Sequence, residues 1–271
     1  VNKKKLKKGA FIASLAAIVI VGTTAAFLTS SDSADNSFEI AEVELVISES
    51  FKPDQVLAAG QIIQKEPYVK NTGSVPQIFF VEVSVPCMKT TLLDKNGQRI
   101  LPAGKTADTA AAADYIQTAE IFDLLADGNN TVTHEGDPDS KYGEIHFNAP
   151  TDTPSAAAGW VYLKQTEIEK VYTNKSGYMD GTYNTYLFGY SAFVEPDSQT
   201  VPIFTDLRLR SMVDEDITGD TVSQVTIRAY TVQKDSLEIT LENKGTKESQ
   251  YNKADLEKLY NVISNKEERQ S

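Results

Sequence analysis

The run "QIFFVEVSV" (Gln77–Val85) sets Phe79, Val81, Val83 and Val85 on one face at a period of two, the pattern of a strand facing a core. It is one of a series. "VELVIS" aligns Val43, Leu45 and Ile47, and "GWVYL", "NTYLFGY", "IFTDLRLR", "QVTIRAYTVQ" and "LEITLEN" follow as short β-rich runs bounded by Gly, Pro, Asp or Asn. Phe38 and Ile40 also alternate, but out of phase with Val43–Ile47, so a bulge or crossover is expected near Ala41. Many short strands thus run along the chain without strand–helix alternation. They predict a mainly β chain, an antiparallel sandwich of the jelly-roll type.

Two helices are expected beside the strands. From Thr106 to Ala126, Tyr115, Ile116, Ala119, Phe122 and Leu125 recur at helical spacing, and Gly128 follows as a stop. This predicts a helical insertion at about 90–150 within a β domain spanning 38–250. Leu256, Leu259, Tyr260 and Ile263 form a second amphipathic face after Asn252, giving a C-terminal helix and tail over 251–271.

The N-terminus has a different character. Lys3, Lys4, Lys5, Lys7 and Lys8 precede an apolar run from Ala10 to about Val21, followed by Gly22 and small residues. A basic head, a short apolar middle and small residues at −3 and −1 describe a secretory signal peptide. Thr24 and Ala26 suit those positions, so residues 1–26 read as a signal and Phe27 as the first mature residue. An uncleaved anchor is the competing reading, since Ala10–Leu28 gives 19 uncharged residues, near the ~20 that span a bilayer. Against it, Gly22, Thr23 and Thr24 dilute the end and no basic cluster follows.

Loss of five lysines would leave 21 basic and 38 acidic residues, a net charge of −17 in place of −12. Nucleic acid is not an expected partner, because it requires a basic face. One cysteine, Cys87, cannot form an internal disulfide, so the fold must rest on its core. Following directly on an apolar strand, Cys87 reads as a small buried hydrophobe rather than a nucleophile.

Catalytic motifs are scarce. "HEGDP" begins like the zinc-protease helix, but Pro138 stands where the second histidine belongs, and His146 is the only other histidine besides His134. "DEDITGD" and "DPDSKYGE" carry alternating oxygen donors near a glycine, yet lack the bidentate Glu of a calcium loop. They read as solvated turns. No cofactor, metal or catalytic residue is expected.

Other segments carry more. Thr24, Ala26, Phe27, Asn36, Phe38, Val43 and Leu45 follow the lysine-rich head in an order that resembles the export signal and first strand of the TasA/camelysin family, although Glu42 stands where Gly is common. "EPYVKNTGSVPQIFFVEVSV" is similar to the family's Val-x-Asn-x-Gly-Ser turn and following strand, with Asn71 and Gly73 as turn residues and Pro76 starting the strand, where its missing donor costs least. "GWVYL", the turn carrying Pro196, Thr200, Pro202 and Phe204, and "TVSQVTIRAYTVQ" resemble the C-terminal half of these proteins, although Asp197 stands where the family has Gly. Residues of about 90–150 have no counterpart in the resemblance.

The resemblance implies a secreted jelly-roll protein of a Gram-positive cell surface, not an enzyme, released by a dedicated signal peptidase cutting between Ala26 and Phe27. It implies self-assembly, a head-to-tail homopolymer in fibres of the biofilm matrix, with other matrix or surface proteins as further partners. There the freed segment 27–40 of one subunit would complete the sheet of its neighbour as a donor strand, using Phe27, Leu28, Ala34, Phe38 and Ile40. After cleavage no stable membrane insertion is expected. The residues suit such a role, because "TSSDSADNS" between apolar ends has too little apolar surface to organise itself. A monomeric or membrane-anchored surface protein or adhesin is the alternative, and a camelysin-like metalloprotease a third reading that the missing second histidine opposes.

Overall fold

The strands of the sequence reading fall into two sheets. The computed structural model describes residues 20–22, 43–49, 59–102, 104–127, 130–132, 141–151, 157–173, 181–213, 225–233 and 250–267. In chain order the elements are β1 (Ile20–Gly22), β2 (Val43–Glu49), β3 (Ile62–Asn71), β4 (Gln77–Thr91), a 3₁₀ turn (Ala112–Tyr115), β5 (Ile116–Glu120), β6 (Phe122–Leu125), β7 (Trp160–Tyr172), β8 (Gly181–Tyr190), β9 (Asp206–Leu209), β10 (Thr226–Gln233) and α1 (Lys253–Glu267). One sheet runs β1-β10-β4-β8-β7, with β5 also on β4, and the other runs β2-β3-β9-β6. Pairings between these strands are antiparallel, except that β1 lies parallel to β10. The chain is therefore mainly β and sandwich-like, as the alternating runs predict. The expected strand "LEITLEN" lies outside the described residues, as do segment 27–40 and the loop 214–220.

β4 is the spine. Its Phe79, Val81, Val83 and Val85 face the second sheet and share one core with Val69 of β3, Phe122 and Leu124 of β6, Tyr186 and Phe188 of β8, and Leu207 of β9. Ile78 and Phe80 point the other way, into a second cluster with Leu187 and Val232 that Leu256 and Leu259 of α1 cover. Both faces of the first half of β4 are thus buried, which is why "QIFF" reads as a continuous apolar run. A 15-residue helix is marginal alone, so docking holds α1; each leucine fully covered contributes about 1.5–3 kcal/mol. Asn252 caps it, accepting from the Asp255 amide at 2.9 Å. The helix closes on Gly189, where a Cβ would stand 3.1 Å from the Phe80 ring and 3.2 Å from Leu256.

The expected helix over Thr106–Ala126 is not formed. Apart from the single 3₁₀ turn, the segment makes β5 on β4 and β6 on β9, one in each sheet. The chain changes sheets at Ile121, whose amide donates to the Pro86 carbonyl at 3.1 Å and whose carbonyl accepts from the Arg210 amide at 3.0 Å. Ala119 through Leu124 are buried without interruption, because each face meets protein as the strand turns the corner. That erases the period-two signal and leaves an apparent spacing of three.

β3 was not anticipated as a strand. The turn after it has the chemistry expected of Asn71, whose Oδ1 accepts from the Gly73 amide at 3.0 Å and whose Nδ2 donates to the Val75 and Val194 carbonyls at 2.9 and 2.8 Å. β4 starts one residue after Pro76. Asp197 sits beside this turn in the left-handed region, φ 61°, with its amide donating to the Asn71 carbonyl at 2.9 Å. Glycine takes that conformation without a Cβ penalty. Asp197→Gly is therefore expected to leave stability unchanged or raise it by ~0.5–1 kcal/mol, and Asp197→Val to lower it, as read from urea midpoints.

Candidate assembly edges and a buried carboxylate

The larger sheet has two very different edges. At one, β7 pairs with β8 through three register irregularities, between Tyr162 and Lys164, Gln165 and Glu167, and Glu167 and Lys170. Glu169 has φ 46°, and Ile168 and Val171 point to solvent. Bulges twist a strand and break the comb of main-chain donors and acceptors, so β7 is a poor template for another strand. At the other edge β10 pairs regularly with β4 along its whole length, Thr226↔Ser84 to Gln233↔Gln77. Its outer side takes β1 over Ile20↔Ile227, Val21↔Arg228 and Gly22↔Ala229. β10 accepts a short strand from the N-terminal part of the chain, ahead of the expected cleavage point.

The expected cleavage residues Ala26 and Phe27, and the expected donor residues Leu28, Ala34, Phe38 and Ile40, lie outside the described residues. Among the apolar residues 10–21, only Ile20 and Val21 are described.

Where the chain changes sheets, the fold encloses an acid that the sequence reading missed. Glu120 ends β5 opposite Cys87 and is completely buried. Its Oε1 accepts from the Tyr186 hydroxyl and from Asn184 Nδ2 at 2.7 Å, and its Oε2 accepts from the Gly143 amide at 2.7 Å. Asp123 repeats the arrangement, taking the Glu144 amide at 2.8 Å. Arg208 bridges Asp123 and Glu144 at 2.9 Å each, while Arg210 Nη1 donates to the Glu120 carbonyl at 2.9 Å. Two carboxylates thus hold the 141–144 turn against the corner. Gly143 makes this possible, since a Cβ there would lie 2.4 Å from the Phe122 carbonyl oxygen.

Burial pushes the Glu120 carboxyl up to about 7, against the donors from Tyr186, Asn184 and Gly143 that favour its charge. A carboxyl near neutrality has the acidity of a general acid or base. Glu120 has no exposed surface for a substrate to reach, so the group acts as a clamp. Cys87 is buried beside it, and burial first, then the Glu120 charge, raises its thiol far above the ordinary range. That matches a packed hydrophobe and not a nucleophile. His146 Nδ1 lies 3.1 Å from the Thr131 hydroxyl and Nε2 3.9 Å from Glu144. His134 lies outside the described residues, and among the described residues no three His, Cys, Asp or Glu side chains gather as a metal site.

No described helix is long and apolar enough to cross a membrane. Compared with protein-family models, with curated proteins and with solved structures, the chain matches none of them.

Proposed function

We propose that this chain is a secreted structural subunit, not an enzyme, that polymerises into extracellular matrix fibres by lending its N-terminal segment to a neighbour. The observation that carries the reading is the β10 edge, regular along eight residues and already paired with β1. Cleavage between Ala26 and Phe27 by a signal peptidase would take β1 away with the signal. That would uncover the main-chain groups of Ile227–Ala229 and free segment 27–40 at the same time. A strand added to such an edge satisfies its donors and acceptors, at about 1 kcal/mol net per hydrogen bond. Ordering the segment costs ~1–2 kcal/mol per residue, so hydrogen bonds alone roughly cancel. Phe27, Leu28, Phe38 and Ile40 would decide the balance, each worth about 1.5–3 kcal/mol when fully covered.

The test uses the chain beginning at Phe27, followed by sedimentation and electron microscopy. Deleting residues 27–36, or changing Leu28→Asp, is expected to leave a monomer with unchanged circular dichroism and no fibres. Fibres of the same morphology from the truncated chain would show that another surface carries assembly.

A further inference from the structure

A cleft of about 660 Å³ opens between the start of β7, the segment 147–150 and the start of α1, within the ~300–1,000 Å³ common for ligand sites. Its walls include Phe147 and the half-exposed ring of Tyr162, and its floor is the fully buried Trp160. These rings are held firmly. Tyr162 and Phe147 both pack on Phe188, with ring centres 5.6 and 5.3 Å away, and the indole N–H of Trp160 donates to the Val201 carbonyl at 2.9 Å.

The rim is polar, and among the described residues that line the cleft none is an acid. Asn130 and Asn252 stand exposed at the mouth, and the Asn252 Oδ1 is taken by the helix cap, leaving its amide nitrogen to donate. Among the described residues lining the cleft the one charged side chain is Lys253, its ammonium 5.4 Å from the centre of the Tyr162 ring and 3.9 Å from Glu257. In a chain with 38 acidic residues this contrasts with the hollow near Arg208, which Asp94, Asp123 and Glu144 line.

We propose that this cleft binds a saccharide. A pyranose has an apolar C–H face that stacks on a fixed aromatic ring and a rim of hydroxyls that each donate and accept. An amide side chain also donates and accepts, so Asn130 pairs with such hydroxyls in either sense. Among the described lining residues no carboxylate favours a cationic ligand, and Lys253 admits uronic as well as neutral sugars. An extended peptide would be served better by a sheet edge than by a short cleft closed at its floor.

The only tryptophan of the chain lies beneath the cleft with no exposed surface, so its emission reports occupancy only through the residues above it, and calorimetry is read beside it. The full chain is titrated with cello-, galacto- and galacturono-oligosaccharides, and with an uncharged extended peptide of similar mass. Saturable binding, read by isothermal titration calorimetry beside Trp160 emission, is expected with at least one saccharide, and ~tenfold weaker binding in Asn130→Ala and Tyr162→Ala, or about 1.4 kcal/mol. Asn130 is exposed, so its variant keeps the test valid should Tyr162→Ala disturb the fold. No saturable response to any saccharide, an unchanged affinity in Asn130→Ala, or a response to the peptide alone would overturn the assignment. Monomers suffice for the titration, so its outcome is independent of fibre formation.

Discussion

Gly159→Ala is expected to destabilise the protein by about 3 kcal/mol or more, at the upper end of what overpacking costs. A Cβ at this position would fall 2.4 Å from the Ala149 carbonyl carbon and the Pro150 nitrogen, and 2.6 Å from the Ala149 oxygen. All three are backbone atoms, so no rotamer change relieves the clash. The surrounding chain is also tied down. The Gly159 amide donates to Ser191 Oγ at 3.0 Å, its carbonyl accepts from the Ser191 amide at 2.9 Å, and the next amide, Trp160, donates to the Asn148 carbonyl at 2.8 Å. Moving Gly159 away from Ala149 would stretch these bonds and lift Trp160 from the core. The control is Gly97→Ala, in an exposed turn at φ 75° with no atom in the way, which should cost only ~1 kcal/mol. Urea denaturation of the two variants separates the cases; equal losses would mean that the contact at Ala149 and Pro150 relaxes freely.

The second large effect is on pH dependence. Glu120 titrates near 7 in the folded chain and near its ordinary 4.5 when unfolded. Between these values the native state holds a proton that the unfolded state has lost. Stability from this group is therefore complete below about pH 4.5 and is lost as pH rises through about 7. At about 1.36 kcal/mol per pH unit, the loss amounts to roughly 3 kcal/mol. Asp94 and Asp114, held below the ordinary carboxylate range by backbone amides of Gln98 and Ala111, act at lower pH, outside this window. Glu120→Gln should remove the slope. It should also weaken the fold at pH 5 by about 1–3 kcal/mol, because the amide NH2 must face either the Gly143 N–H or the Asn184 NH2, both donors. The expected curves converge towards pH 8. Parallel curves for wild type and variant from pH 4.5 to 8 would assign the slope to other groups.

The sequence made the sandwich legible where apolar residues recur at a period of two, and on β4, buried on both faces in its first half, Glu82 and Ser84 keep that period visible. β4 was read from Phe79, Val81, Val83 and Val85, and the C-terminal helix from Leu256, Leu259, Tyr260 and Ile263 after Asn252. β3 escaped notice because Lys65, Glu66 and Pro67 interrupt its apolar positions, although Ile63 and Val69 are buried. Segment 116–125 was misread because burial on both sides removes alternation, and nothing local tells a sheet-changing strand from a helix. Glu120 carried a signal of its own, a lone acid in "AEIF" with apolar neighbours on both sides. Its partners Tyr186, Asn184 and Gly143 are too distant in sequence for that signal to become a network. The assembly reading came from the order of short motifs, while the contrast between a bulged β7 and a regular β10 depends on pairing that no local pattern encodes.

The position of β10 also bears on how the chain reaches its folded state. β4 has β10 on one side and β8 on the other, so Val83 must meet both Ile227 and Tyr186. β3 likewise waits for Asp206–Arg208. Contacts this remote in sequence carry the loop-closure cost before any reward, which places the chain among slow folders of high contact order. During synthesis the central strand has neither long neighbour until most of the polypeptide has emerged. Premature closure of the sandwich is therefore disfavoured by topology alone, because the larger sheet is complete only once Val225–Gln233 arrives.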